Sequence, residues 1–248
     1  MGLTGTSEIV EDRRRPLGVR HALLVFVSPR ALFERVEDTG AYGWSLVTLV
    51  GLVLLLGYAE VQTGLTDRVV DQRTEKALAD LEQAQGHLVD RIELKEQMDS
   101  LRQRGEFDKM LSRMGVIVFT PLWLLASFML IASALYAAVA LTGRKPEYHT
   151  LMSICVYGGF VVLFGRIVRL AMVIFYRTAD MDTSLGMMSV AGEPSPLSAV
   201  DPFRIWFWVL AAMGLVVTRQ LGKRMAVATC LVMALVAAGV RVAMAYAG

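Results

Sequence analysis

The chain has 248 residues, of which 55% are hydrophobic and 19% charged, with a formal net charge of +2 and a mean hydropathy of +0.50. Soluble domains carry about half apolar and a quarter charged residues, so an ordinary soluble domain is excluded, and near-neutrality removes the electrostatic case for a nucleic-acid partner. Cys155 and Cys230 fall in apolar runs and His21, His87 and His149 in three unrelated segments, which excludes a disulfide framework and offers no zinc spacing.

Residues 1–38 read as a cytoplasmic polar arm with six arginines and six acids. No cleavable signal peptide is expected, because Arg13, Arg14 and Arg15 are not followed at once by an apolar core. Met1 to Thr6 matches the short myristoylation pattern, a chance match of little weight in a chain with spans of its own. Ser28-Pro29 is a helix start, with serine as cap and proline in the first turn, and Leu32, Phe33 and Val36 share one face of the short amphipathic helix that follows. Such a helix either lies along the headgroups or a partner, or packs on the protein's own bundle.

Residues 39–59 form a first charge-free span, with Tyr42, Trp44 and Tyr58 at its ends, where aromatic rings favour the interface. Residues 60–113 then hold nine basic and twelve acidic side chains and are expected outside the hydrocarbon as a charged helical extracytoplasmic insert. Apolar residues at helical spacing make it amphipathic, and Gly86 and Gly105 are the expected breaks. Both ends return to one membrane face, so the insert is either a hairpin turning near Gly86 with arms of ~40 Å or a set of shorter surface helices. It serves either as a contact arm or as a solvated cap, and its thin apolar stripe shows no sustained heptad.

Residues 114–248 complete one membrane domain with four further spans. Met114 to Gly143 is thirty residues without a charged side chain, more than the roughly 20 needed to cross ~30 Å of hydrocarbon, and Pro121 is expected to kink it. Leu151 to Tyr176 is interrupted by Arg166 and Arg169, with Gly158, Gly159 and Gly165 allowing close helix approach. Pro202 to Thr218 is a short span, and Met225 to Ala247, interrupted by Arg241, is the last. The arm, the Arg144/Lys145 loop and the Arg219 to Arg224 turn are the basic connections. The positive-inside rule therefore puts the N-terminus in the cytoplasm and the C-terminus outside. The fold class is all-α, a polytopic five-helix transmembrane bundle.

No phosphate-binding loop, zinc helix or nucleophile elbow occurs, and the spans contain no Asp, Glu or His from which to build a proton relay. No catalytic residue, metal or cofactor is expected; Met181, Met187 and Met188 lack the nearby Cys or His that a soft-metal site uses. The candidate site residues are Arg166, Arg169, Asp201, Arg204 and Arg241. They form either a basic pocket for a lipid headgroup or a partner's carboxylates, or an internal salt bridge with snorkelling arginines.

Three short stretches carry a family likeness: Ser28-Pro29-Arg30-Ala31-Leu32-Phe33, Leu135-Tyr136 with Thr142-Gly143, and Val200-Asp201-Pro202-Phe203-Arg204-Ile205-Trp206 with Gly214-Leu215. By these the chain resembles the Yip family of five-span membrane proteins, in its bacterial branch with the longer first loop. The resemblance implies a non-enzymatic scaffold or accessory subunit in a bacterial inner membrane. Its implied partners are membrane lipid and other integral subunits, most readily an ABC-type exporter with its periplasmic adaptor. A trafficking adaptor, as in eukaryotic relatives, and a passive channel or lipid carrier are the alternatives.

Overall fold

The computed structural model describes residues 22–39, 42–85, 91–176 and 201–247. The expectations placed on Met1 to Thr6, on Arg13 to Arg15, on Gly86 and on the Met181, Met187 and Met188 group lie outside these residues. The described residues form helices and turns with no strand: α1 (Leu24–Val27), α2 (Pro29–Thr39), α3 (Gly43–Gln62), α4 (Leu65–Gln85), α5 (Arg91–Met114), a π turn (Gly115–Phe119), α6 (Thr120–Leu141), α7 (Tyr148–Tyr176), α8 (Pro202–Val217) and α9 (Lys223–Ala247). Four stretches, Gly43–Gln62, Leu94–Leu141, Tyr148–Tyr176 and Lys223–Met244, are long and apolar enough to cross a membrane, and α8 is a shorter apolar helix. The protein is an all-helical polytopic membrane protein.

The chain divides into two compact units. One comprises the described residues of Met1–Gly51, Leu124–Ala171 and Met181–Gly248, the other those of Leu52–Trp123 and Met172–Asp180. In the first, α7 is the central helix, because 72% of its apolar window is buried against 28% for α3 and 11% for α9. Every residue from Thr150 to Val161 is buried. The long run ending at Gly143 is therefore not the hub that its length suggests, since only 22% of its window is buried. Lipid is as apolar as a helix neighbour, so length without charge marks a span but not a centre.

Glycines set how close the neighbours of α7 come. A Cβ on Gly158 would lie 2.8 Å from the Phe207 ring, one on Gly159 2.4 Å from Phe128 and 2.9 Å from Leu49, and one on Gly165 2.7 Å from Phe203. On α8, Gly214 receives Ile154 in the same way, at 2.9 Å. The pairs 165/203, 158/207 and 154/214 run in opposite directions, so α7 and α8 are antiparallel. Ser45 Oγ donates to the buried Tyr157 hydroxyl at 3.0 Å, tying α3 to α7.

Asp201 caps α8 by accepting from the Phe203 N–H at 2.9 Å, with Pro202 in the first turn, the pattern that suits an orphan donor at a helix start.

One expectation about breaks in the chain is corrected. Gly105 does not interrupt its helix: α5 runs through it unbroken, and its Cβ would meet Thr74 at 2.8 Å, so the glycine admits a neighbouring helix. At Pro121, where a kink is expected, a widened π turn comes just before the proline, with the Thr120 N–H bonded to the Gly115 carbonyl five residues back. Such a turn absorbs an extra residue without leaving the helix. The carbonyl of Val116 lies 3.1 Å from where a Cβ on Gly57 would be, so α3 and the π turn also meet over a glycine.

Gly165→Ala should destabilise the protein. Its Cβ would lie 2.9 Å from Phe203 Cβ itself, which no rotamer change can move, and overpacking costs about 1–3 kcal/mol against at most ~1 kcal/mol gained from helix propensity. Gly51→Ala has no neighbour within 4 Å and should leave the melting temperature unchanged or slightly higher. Thermal unfolding in detergent compares the two, and an unshifted Gly165→Ala protein would contradict this packing.

Candidate functional site

The second unit contains a helical hairpin whose two arms, α4 and α5, are ~32 Å and ~36 Å long. Arg113 Nε donates to Asp67 Oδ1 at 2.8 Å, and its second nitrogen meets the other carboxylate oxygen. Lys109 Nζ lies 2.7 Å from Asp71 Oδ1 and 2.7 Å from Glu106 Oε1. With Thr74 against Gly105, the partners' numbers rise on one arm as they fall on the other, so the arms are antiparallel. This settles the choice of shapes in favour of the hairpin.

The seam is a coiled-coil seam that the hydrophobic pattern hides. Asp67, Asp71, Thr74, Leu78 and Leu81 on α4, and Leu94, Met98, Leu101, Gly105, Lys109 and Ser112 on α5, are partly buried or buried at a spacing of three or four residues, and Thr66, Val69, Val70 and Gln97 beside them are partly buried too. Where the arms join the flanking helices, Asp67 and Asp71 on α4 meet Arg113 and Lys109 on α5. Only their pairing, invisible in either arm alone, reveals the repeat. Between the arms lies a groove of about 500 Å³ lined by Val70, Thr74, Ala77, Leu101 and Gly105 among others.

α5 also exposes an apolar stripe, whose Leu111 borders the groove between the arms. Phe107, Met110, Leu111 and Met114 are 61%, 60%, 53% and 49% exposed, and their spacing places them on one face. Charged residues flank them, so among the described residues of the arm this is a surface with something to gain by being covered.

Among the arginines, the structure joins one expected pair. Arg204 Nε lies 3.5 Å from Asp201 Oδ2, and Asp201 also caps α8. Arg166 and Arg169 sit one turn apart on α7, the first half-buried and the second exposed, and Arg241 is half-buried on α9. Arg166, Arg169 and Arg204 are all engaged within the chain. The edge contact of Phe164 with Phe203, centroids 5.9 Å apart, brings the Arg166 and Arg204 turns together. Among the described residues, no three His, Cys, Asp or Glu side chains converge as a metal site would need.

Sequence reasoning missed how the basic loops interlock. Arg144 Nη1 donates to the Arg219 carbonyl at 2.9 Å, and the Glu147 N–H donates to Gln220 Oε1 at 3.3 Å. Arg219 holds a left-handed φ of 56° as α8 ends, which turns its carbonyl toward the other loop. The Tyr42 ring lies 6.1 Å from His149 at the same end. The first residues of α3, α7 and α9 and the last of α6 and α8 thus share one end of the first unit, and that end is basic. The signal available was charge alone: two short loops rich in Arg and Lys.

In the hairpin, the hydrogen bond from Arg113 holds the Asp67 carboxyl below the usual carboxylate range. Its contribution to hairpin stability is therefore full above the ordinary carboxylate pKa near 3.9 and is lost as pH falls through the lowered folded value. Hydrogen exchange of α4 and α5 should be constant from pH 8 to 5 after correction for intrinsic rates and should rise below about pH 4. Asp67→Asn should show the faster exchange already at pH 7, and a variant indistinguishable from the parent at pH 7 would refute the pairing.

No curated protein and no solved structure significantly matches the chain. The family model described as Yip1 domain matches residues 23–244, a stretch that begins in the turn before α1, takes in the hairpin and ends within α9. With nearly the whole chain matched, this helical membrane protein belongs to the Yip1 domain family.

Proposed function

We propose that the protein is a non-enzymatic membrane scaffold that holds other membrane subunits together, with the hairpin as its contact arm. The observation that carries this is the exposed stripe of Phe107, Met110, Leu111 and Met114 on an otherwise charged helix. A solvated cap has no use for such a stripe, whereas a partner helix gains by covering it. Membership of the Yip1 domain family supports a membrane adaptor of this kind. The finer reading is an accessory subunit of an ABC-type export system with a periplasmic adaptor in a bacterial inner membrane. The basic loop end then faces the cytoplasm, while the C-terminus and hairpin lie outside. The family match also favours a second reading, an adaptor in membrane trafficking. On either reading Arg166, Arg169, Asp201, Arg204 and Arg241 hold lipid headgroups or each other, and the Asp201–Arg204 contact supports the internal arrangement.

Phe107→Glu with Met110→Glu should reduce co-purification of an exporter ATPase subunit from native membranes at least tenfold while expression and melting temperature stay unchanged. Purified protein in liposomes should be silent in a small-solute flux assay. Undiminished co-purification would remove the arm from the contact, and a flux above empty liposomes would favour a channel.

A further inference from the structure

The interlocked loops gather positive charge that the chain does not neutralise. Residues 142–147 and 218–225 carry Arg144, Lys145, Arg219, Lys223 and Arg224, all exposed, against a single acid, Glu147. The Glu147 carboxylate accepts from the Thr150 hydroxyl at 3.0 Å instead of meeting a cation. Among the described residues, Lys145, Lys223 and Arg224 enter no ion pair. Cations held side by side in this way repel one another, and an anion supplied from outside the chain relieves that repulsion.

This end of the first unit lies at a membrane surface. Each of the four stretches able to cross a membrane has one terminus here, at Gly43, Leu141, Tyr148 and Lys223. Tyr42 beside His149, and Tyr136 with its ring 6.3 Å from that of Tyr148, mark the level at which amphipathic rings settle between hydrocarbon and water. Next to the cations, apolar side chains are bare: Leu141, the last residue of α6, is 89% exposed and Met225, which follows Arg224, is 52% exposed.

We propose that this surface holds the headgroup of an anionic phospholipid. Lys145, Lys223 and Arg224 take the phosphate diester, and an acyl chain covers Leu141 and Met225. A soluble anion would satisfy the cations but leave those two side chains in water, so the occupant is a lipid. Arg144 is a positioning residue, because its bond to the Arg219 carbonyl at 2.9 Å sets the two loops side by side and lets cations of both serve one headgroup. Basic pockets between membrane helices recognise headgroups in this way. The site is separate from Arg166, which lies ~27 Å further along α7 from Tyr148. This inference does not rest on the scaffold reading.

Native mass spectrometry of the full chain in detergent, titrated with phosphatidylglycerol or phosphatidylcholine, tests it. A cation beside an anionic headgroup contributes a gain of roughly fivefold, so phosphatidylglycerol should bind at least roughly tenfold more tightly than phosphatidylcholine. Lys145→Gln with Lys223→Gln and Arg224→Gln should erase that preference without changing phosphatidylcholine binding, and K145R/K223R/R224K should keep it. Neutralising three exposed cations of the hairpin, by Arg68→Gln with Lys76→Gln and Lys95→Gln, should leave the preference intact. Equal affinity for the two lipids, or a loop variant that keeps the preference, would overturn the proposal. So would an equal loss in the hairpin variant, which would show general attraction instead of a site. Displacement of phosphatidylglycerol by inorganic phosphate at constant ionic strength would assign the cations to a soluble anion and overturn it too. Should the triple loop variant fail to accumulate, Lys145→Gln alone takes its place, with a loss of roughly fivefold expected.

Discussion

The membrane unit depends on aromatic rings seated over glycines. Between helices in lipid there is no hydrophobic driving force, so association rests on close van der Waals packing and a few hydrogen bonds. Gly158, Gly159 and Gly165 give α7 hollows into which Phe207, Phe128 and Phe203 fit. Because each ring belongs to a different level or helix, these contacts also fix register. They bring the end of α8 level with the start of α7, where Arg144 and Gln220 can bond across the two loops. The basic end is thus a consequence of packing in the middle.

The hairpin obeys different physics. Its seam is written in charge near the base and in leucine further out, and exposed ion pairs contribute little to stability. What the forked Arg113–Asp67 contact supplies is alignment, since two parallel bonds accept only one geometry. Thr74 over Gly105 repeats, between solvated helices, the close approach that glycines permit inside the membrane. Phe107, Met110 and Met114 are exposed on another face of α5.

Much of this was legible in the sequence, for reasons that can be named. Absence of charge over Met114 to Gly143 and over residues 39–59 leaves no alternative to the membrane, and the glycines of α7 announce close packing. Asp201, legible as an acid placed to pair with the arginines, lies against Arg204. What could not be read is which apolar face meets protein and which meets lipid, because both present the same side chains. Periodicity around Leu32, Phe33 and Val36 shows that one face is buried without saying against what. Gly105 carries the same letter whether it breaks a helix or admits a neighbour. Of the candidate site, Asp201 and Arg204 are together, while the repeat in the hairpin and the loop contacts at Arg219 needed three dimensions.

The proposed topology, which rests on the positive-inside rule, puts the basic loops at residues 144–145 and 219–224 in the cytoplasm and residues 60–113 outside. Single cysteines at Lys145, Lys223 and Glu82, labelled in sealed vesicles of known orientation with a membrane-impermeant maleimide, test it directly. Positions 145 and 223 should label together from the cytoplasmic side and position 82 only from the other. Labelling of position 82 from the same side as position 145 would contradict the account.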